Sequence, residues 1–418
     1  MEEIVKFTKI KLAPDPSRVL LQPFYPGSEK RLNNVVERIM KLDEKKVEEL
    51  LEQVLGGFSG RHRNTPEIFR SNFKFAEALL DRPLTPKRKE LIGAYLSKEY
   101  SVESAALFNP SIVLHPEQGR AEAGSARIIM SLRATGEGHI SSIEFREGTV
   151  DNGEVLLDPN SKFLDAGELT AQMGEGSYEV SFKGNVPLSE RILFPHSPDE
   201  SHGMEDARFV RFIDGNENPV YYATYTAYDG RKTSIGMIKT NDFRQFSVNR
   251  LSGSEVKDKG MALFPKKIGG RYMMISRQDG ENLYIMDSDE VYSWNKKSLL
   301  KVPVFDWEFV QLGNCGSPIE TEAGWLLLIH SVGAVRTYFI SAILLDSREP
   351  SRVKGYLPEV LIAPGEKTRE GYVPNVVYSC GSIIHGGKLI IPFAMADSAS
   401  GVAVVDVNEM LNRFVRVI

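Results

Sequence analysis

The sequence predicts an all-β protein, a five-bladed β-propeller carrying an N-terminal helical extension. Three observations predict it. Beyond about residue 105, short runs rich in Ile, Val, Tyr and Phe alternate with Gly, Asp and Asn turns, the texture of strands and hairpins. Several hairpins share one form, with Gly ahead of a strong strand: KKIGGRYMMISR, TEAGWLLLIHS and SIIHGGKLIIPFAM, with RFIDGNENPVYYATYT a longer-turned version. Before them stand the triplets Asn109-Pro110-Ser111, Glu205-Asp206-Ala207, Met261-Ala262-Leu263, Ser317-Pro318-Ile319 and Val373-Pro374-Asn375. The last three intervals between these triplets are each about 56 residues and the first is about 96; a fixed period near 50 marks a propeller blade. An insertion within 150–190, around GEVLLDPNSKFLDAGE, accounts for the long first interval. A β-sandwich with chance spacing is the competing reading.

The first hundred residues read differently. Apolar positions in 31–55, RLNNVVERIMKLDEKKVEELLEQVL, fall mostly on helical spacing, with the Gly56-Gly57 pair as a stop. Residues 64–81 open with Asn-Thr-Pro-Glu, a helix-start signature, and residues 85–99 repeat it with Thr-Pro. The expected organisation is therefore a helical segment over 1–104, packing on the propeller or building a homo-oligomer, and a catalytic propeller over 105–418.

The 418 residues, 42% of them apolar, suffice for a full core, and a net charge of −5 argues against a nucleic-acid binder. Two cysteines, Cys315 and Cys380, cannot frame a secreted disulfide scaffold and read as reduced thiols. MEEIVKFTKIKLAPD lacks the apolar run of a signal peptide, and no stretch approaches the ~20 apolar residues of a membrane span. We expect a cytoplasmic protein with no membrane partner.

If the five triplets begin innermost strands, Asn109, Glu205-Asp206, Lys259, Ser317 and Asn375 converge on one funnel. On a regular strand Asp206 and Arg208 face one way and Glu205 the other. Nearby stand Arg277, Gln278, Asp279 and Glu281, then Asp306, Glu308, Gln311 and Asn314, then His330 and Asp397. A funnel of carboxylates, amides and aromatic rings suits a carbohydrate, and glycosidic cleavage needs two carboxyl groups. Each residue has a plainer reading: an Asp206–Arg208 ion pair, a turn role for Glu281, a solvated edge for Glu308, a core histidine at His330. His196 and His202 match no familiar metal spacing, so no metal or organic cofactor is expected. GEGH at 136–139 lacks the Lys-Ser/Thr of a phosphate loop.

NPSIV, SHGMEDARF, KGMALFPKKIGGRY, GNCGSPIETEAGWLLLIH and GYVPNVVYSCG, in this order, resemble the family-130 glycoside hydrolases and mannoside phosphorylases over about residues 105–405. The resemblance implies a five-bladed propeller acting on β-linked mannosides with inversion. It places the general acid on Asp206 and sugar contacts on Asn109, His330, Tyr338 and Asp397. In the phosphorylases that acid is thought to act through a sugar hydroxyl. Where those enzymes carry an Arg-Asn pair, an Arg, a Lys and a Tyr for phosphate, this chain has Lys259-Gly260, Arg277, Gln311 and Ile340. Hydrolases of the family are said to put glutamates there instead. The expectation is thus an inverting β-mannosidase, specific for β-1,2-linked manno-oligosaccharides, with Asp206 as acid and Glu281 or Glu308 as base. Arg133, Glu205, Asp279, Gln311 and Asn314 join Lys259 and Arg277 as expected substrate contacts. The alternatives are a phosphorylase that uses inorganic phosphate, held by Lys259 and Arg277, and a non-catalytic sugar-binding propeller.

Overall fold

The computed structural model describes residues 4–80, 83–174, 176–215, 218–366 and 368–416. Strand outweighs helix, 43% against 17%. The chain divides into two compact units: residues 15–103 with 161–165, and residues 1–14, 104–160 and 166–418. No helix among the described residues is long and apolar enough to cross a membrane.

Among the described residues the smaller unit holds four helices, Glu29–Met40, Glu44–Phe58, Thr65–Glu77 and Pro86–Tyr95, and a strand pair, Val19–Pro23 with Ser97–Ser101. The stretch 31–55 is two helices rather than one, because the Asp43 carboxylate accepts from the Lys46 amide at 2.7 Å and starts the second. Buried Arg88 closes the first by donating to the carbonyls of Ile39 (2.6 Å) and Leu42 (2.8 Å) and to Glu44. Gly56 and Gly57 do not stop the second helix, whose ladder continues until the Ser59 amide bonds Leu55. The expected end of the third, Asp81, lies outside the described residues. Leu32, Val36, Ile39, Val47, Leu51 and Phe69 share the apolar core. Gly93 is required there: a Cβ would sit 1.8 Å from the Phe69 carbonyl oxygen.

The larger unit is built from five antiparallel meanders. The first runs Ala106–Leu114, Ser125–Thr135, Ser141–Asp151 and Glu154–Leu157. The second runs Gly203–Phe212, Val220–Tyr228, Thr233–Thr240 and Gln245–Arg250. A hairpin, Glu168–Gly174 with Ser177–Ser181, extends its outer edge and occupies the stretch read as an insertion. The turn at Asn216 and Glu217 lies outside the described residues. The third runs Ala262–Leu263, Tyr272–Ser276, Leu283–Ser288 and Lys297–Lys301. In the fourth, Gln311–Asn314 and Ile319–Thr321 precede Gly324–Val332, Tyr338–Leu345 and Val353–Tyr356. In the fifth, Val377–Tyr378 and Ile383–His385 precede Lys388–Met395 and Ala399–Asp406, and Val5–Leu12 from the other end of the chain pairs outside them.

Central strands such as Gly324–Val332 are buried along their whole length, which is why they read as unbroken apolar runs rather than alternating ones. Each apolar core is shared by two meanders. Phe145 and Phe209 join the first to the second, Met237 and Met274 the second to the third, Phe264 and Trp325 the third to the fourth, and Leu328 and Ile391 the fourth to the fifth. Phe108 and Tyr378 then join the fifth to the first. A cavity of about 560 Å³ is lined by one inner segment of every meander, through Ile112, Phe209, Pro265, Ile319 and Ile383.

Candidate active site

The first strands of the first two meanders slip register at equivalent places, between Phe108 and Ser111 and between Glu205 and Arg208. Asn109 (φ 48°) and Asp206 (φ 55°) take left-handed backbone at these slips. Asn and Asp tolerate that region best among residues with a Cβ, and a bulge re-aims the side chain it carries. Asn109 Nδ2 consequently donates to Asp206 Oδ1 at 2.6 Å, across 97 positions of sequence. The slip also overturns the expected alternation of the acids. Both face Arg133, which reaches Glu205 Oε1 at 2.7 Å and Asp206 Oδ1 at 3.2 Å.

Arg208 is not the direct ion partner of Asp206 that the spacing suggested. It donates to the backbone and side-chain oxygens of Asn314 (3.1 and 3.2 Å) and to the Tyr378 hydroxyl (2.6 Å). Its charge still acts on Asp206. Burial pushes that carboxyl up, but Arg133, Lys259, Arg208 and the Asn109 hydrogen bond hold it down at about 2. Asp397, on left-handed backbone (φ 51°), shows the opposite balance. Burial and then the Asp206 charge push it up to about 6, against Arg133, Arg336 and Lys259.

Arg277, Lys259 and Arg208 form a cationic cluster. Arg277 Nε donates to the Lys259 carbonyl and faces Asp258, both at 3.2 Å. Lys259 Nζ stands 3.7 Å from Glu205 Oε2. Arg277 and Arg208 meet over Gly260 (φ 86°), where an added Cβ would come into contact with Arg277 Nε at 3.5 Å and Arg208 Nη2 at 3.6 Å. His330 is fully buried, and burial with the charges of Arg277 and Arg208 keeps its ring neutral. Its Nδ1 lies 3.1 Å from the Asn314 carbonyl, while its Nε2 has no partner among the described residues. Tyr338 stacks on that ring at 5.9 Å and Tyr378 tilts against it at 4.6 Å.

Asn109, Arg133, Glu205, Asp206, Lys259, Arg277, Asn314, His330, Tyr338 and Asp397 are thus linked by hydrogen bonds, ion pairs, ring contacts or electrostatic influence. Gln311 begins the strand that carries Asn314 and pairs with Val332. Asp279 is occupied in an exposed turn, accepting from the amides of Glu281 and Asn282 and from the Tyr284 hydroxyl. Glu281 stands exposed on the same turn. Glu308 is buried in a local cap, where Oε2 takes Lys301 at 2.6 Å and the amides of Val304 (2.8 Å) and Phe305 (3.2 Å). Sequence reasoning missed Tyr378, Arg336 and the meeting of Arg277 and Arg208 over Gly260. Arg208 was noticed only as a neighbour of Asp206; a guanidinium on a buried strand, two places after a bulge, was the available signal.

The family model for glycoside hydrolase family 130, described as β-1,4-mannooligosaccharide phosphorylase, matches residues 177–416. The chain belongs to this family. A 1,2-β-oligomannan phosphorylase of Thermoanaerobacter sp. (strain X514) is 30% identical over 260 residues, covering 61% of this chain and 84% of that one. A β-1,2-mannobiose phosphorylase of the same organism is 32% identical over 223 residues, covering 52% and 72%. The solved structure of the Listeria innocua β-1,2-mannobiose phosphorylase in complex with β-1,2-mannobiose superposes with a TM-score of 0.54 at 17% identity, covering 75% of this chain and 92% of that one. These relatives correct the expectation of an inverting β-mannosidase: they are named phosphorylases, not hydrolases. Of the two glutamates expected to activate water, one is consumed by a structural cap and the other is exposed on a turn.

Proposed function

We propose that this family-130 chain is a phosphate-dependent β-mannoside phosphorylase, taking β-1,2-linked manno-oligosaccharides and releasing mannose 1-phosphate. The observation that carries it is the approach of two buried guanidinium groups, Arg277 and Arg208, over Gly260, which puts no side chain between them. Arg277 faces Asp258, whereas Arg208 donates to the neutral oxygens of Asn314 and Tyr378, and a phosphate oxyanion suits such paired guanidinium donors. A phosphate oxygen attacks the anomeric carbon and forms the new C–O–P linkage as the glycosidic C–O bond breaks. Asp206 supplies the proton to the leaving oxygen, directly or through a sugar hydroxyl, and the proton that phosphate sheds restores it. Asn109, Tyr338, His330 and Asp397 hold the mannosyl ring. The β-1,2 linkage follows the names of the Thermoanaerobacter and Listeria relatives.

We extend the proposal to the frame that assembles the site, a closed five-bladed propeller. Five cores, each shared by neighbouring meanders and the last returning to the first, support closure, as does the cavity that all five line. The test of function is product analysis. Incubation with β-1,2-mannobiose and inorganic phosphate is expected to yield mannose 1-phosphate and mannose in equal amounts, with no turnover when phosphate is omitted. Free mannose alone, independent of phosphate, overturns the proposal. β-1,4-Mannobiose run in parallel decides the linkage.

A further inference from the structure

Resting on the phosphorylase reading, we infer that Tyr372 and His139 form an aromatic platform at the mouth of the site that stacks the leaving-group sugar. Tyr372 is 67% exposed, and its ring offers a flat apolar face with a polar tip. Its ring lies 5.8 Å from that of His139, which is also exposed, at an interplanar angle of 30°.

Tyr372 is tied to the strand turn that carries Asp397. Its amide donates to the Ser398 hydroxyl at 2.8 Å, and the next amide, of Val373, donates to the Ala396 carbonyl at 3.0 Å. A Cβ at Gly371 would meet the Ser398 hydroxyl at 2.4 Å, so the approach depends on glycine. Ser398 in turn accepts from the amide of Leu107, two residues before Asn109. His139 sits at the tip of the hairpin whose first strand delivers Arg133. The Gly136 amide and Ile140 carbonyl close that tip at 3.0 Å, with His139 on left-handed backbone (φ 59°). The elements holding the two rings are therefore the same ones that hold Asn109, Arg133 and Asp397.

The direction of the reaction assigns the occupant. The guanidinium groups of Arg208 and Arg277, assigned to phosphate, are buried, and the mannosyl ring is assigned to the reach of Asp206 and Asp397. An inverting attack puts the departing sugar on the side away from phosphate, and exposure rises from Asp206 (8%) to Tyr372 (67%), which assigns that sugar to the exposed rings. A sugar offers an apolar face of C–H groups for such rings, with its hydroxyls left to water or to neighbouring polar groups. The platform thus governs affinity for the acceptor sugar rather than for the transferred one.

The synthetic direction separates the two. With mannose 1-phosphate as donor and mannose or β-1,2-mannobiose as acceptor, Tyr372→Ala is expected to raise the acceptor KM about three- to ten-fold. The KM for mannose 1-phosphate should stay within about two-fold. Tyr372→Phe should retain the parent acceptor KM, because a ring without the hydroxyl still stacks. His139→Asn, which keeps the left-handed backbone, should show a smaller rise of the same kind. An unchanged acceptor KM in Tyr372→Ala, or equal rises for donor and acceptor, overturns the inference. If the unmodified protein neither makes nor consumes mannose 1-phosphate, the phosphorylase reading fails and the platform is judged by calorimetric titration with β-1,2-mannotriose. Weaker binding by Tyr372→Ala than by the parent then supports it, and equal affinity, or none for either protein, overturns it.

Discussion

At the scale of single residues the site is a contest between burial and charge. Asp206 stays ionised at neutral pH because Arg133, Lys259, Arg208 and Asn109 outweigh its desolvation. A proton donor, however, must be protonated when the bond breaks. A phosphate dianion at the cationic cluster would neutralise part of that positive field and raise the acid's pKa. The alkaline limb of the rate profile should therefore move to higher pH as phosphate is raised toward saturation, and a limb fixed in place would contradict the coupling. Asp206→Asn should lower turnover about a thousand-fold while the far-ultraviolet circular dichroism of the protein is preserved. Asp397 gives a stability test with the opposite sign. Its folded pKa of about 6 exceeds the ordinary 3.8, so the fold binds that proton more tightly than the unfolded chain does. Its contribution is present below about pH 4 and is lost as pH rises through 6. Asp397→Asn should therefore gain about 1–2 kcal/mol over the parent at pH 7.5, a figure reduced for the side chain's partial exposure, and nothing near pH 4. Thermal melts at the two pH values check it. Asp206 was legible in the sequence because the repeat set it among distant acids. The shared grip of Arg133 on both acids was not, since strict alternation holds only on an unbulged strand.

At the scale of elements, the devices that build the site are irregularities in otherwise regular hairpins. Two first strands slip at Asn109 and Asp206, and the turn between Lys388–Met395 and Ala399–Asp406 presents Asp397 on the second of two successive left-handed residues. The Gly-rich hairpins were readable because glycine and strong strand formers leave a plain trace. The slips were not, because a bulge has no composition of its own. Glu308 illustrates the same limit: DWE reads equally well as a catalytic acid on a loop or as a one-turn cap, and only its bonds to Lys301 and two amides decide. Gly260 offers the sharpest test at this scale. Gly260→Ala puts a methyl group between Arg277 and Arg208 and forces φ 86° on a residue that disfavours it. The variant should lose about 1 kcal/mol of stability and show a KM for phosphate raised about ten-fold or more, with the KM for mannobiose little changed. Equal rises in both constants would mean that these cations serve the sugar instead.

At the scale of the whole molecule, the period near 50 residues foretold the repeating unit but not how the last unit is completed. Residues 5–12 fall within the segment read from sequence as helical, yet they form the outer strand of the fifth meander, with Val5 opposite Val405 and Leu12 opposite Ser400. Nothing in VKFTKIKL says which distant strand it will meet; its alternation is that of any half-buried edge. The consequence is mechanical. Phe108 and Tyr378 hold the fifth meander to the first, and Arg208 reaches Tyr378 from the second, so the cationic cluster depends on a fifth meander that is itself finished by the other end of the chain. Removing residues 1–12 would uncover Ala399–Asp406 as a long apolar edge, open to wrong pairing, and would take Ile4 and Val5 out of the core shared with Leu328 and Ile391. At about 25 cal/mol per Å² of apolar surface the loss is several kcal/mol before the lost ladder is counted. The truncated protein should melt roughly 10 °C lower or aggregate, and its KM for phosphate should rise along with that for sugar, because Tyr378 orients Arg208. A truncated protein with parental melting temperature and kinetics would show that the strand merely decorates the fifth meander and that the site stands without it.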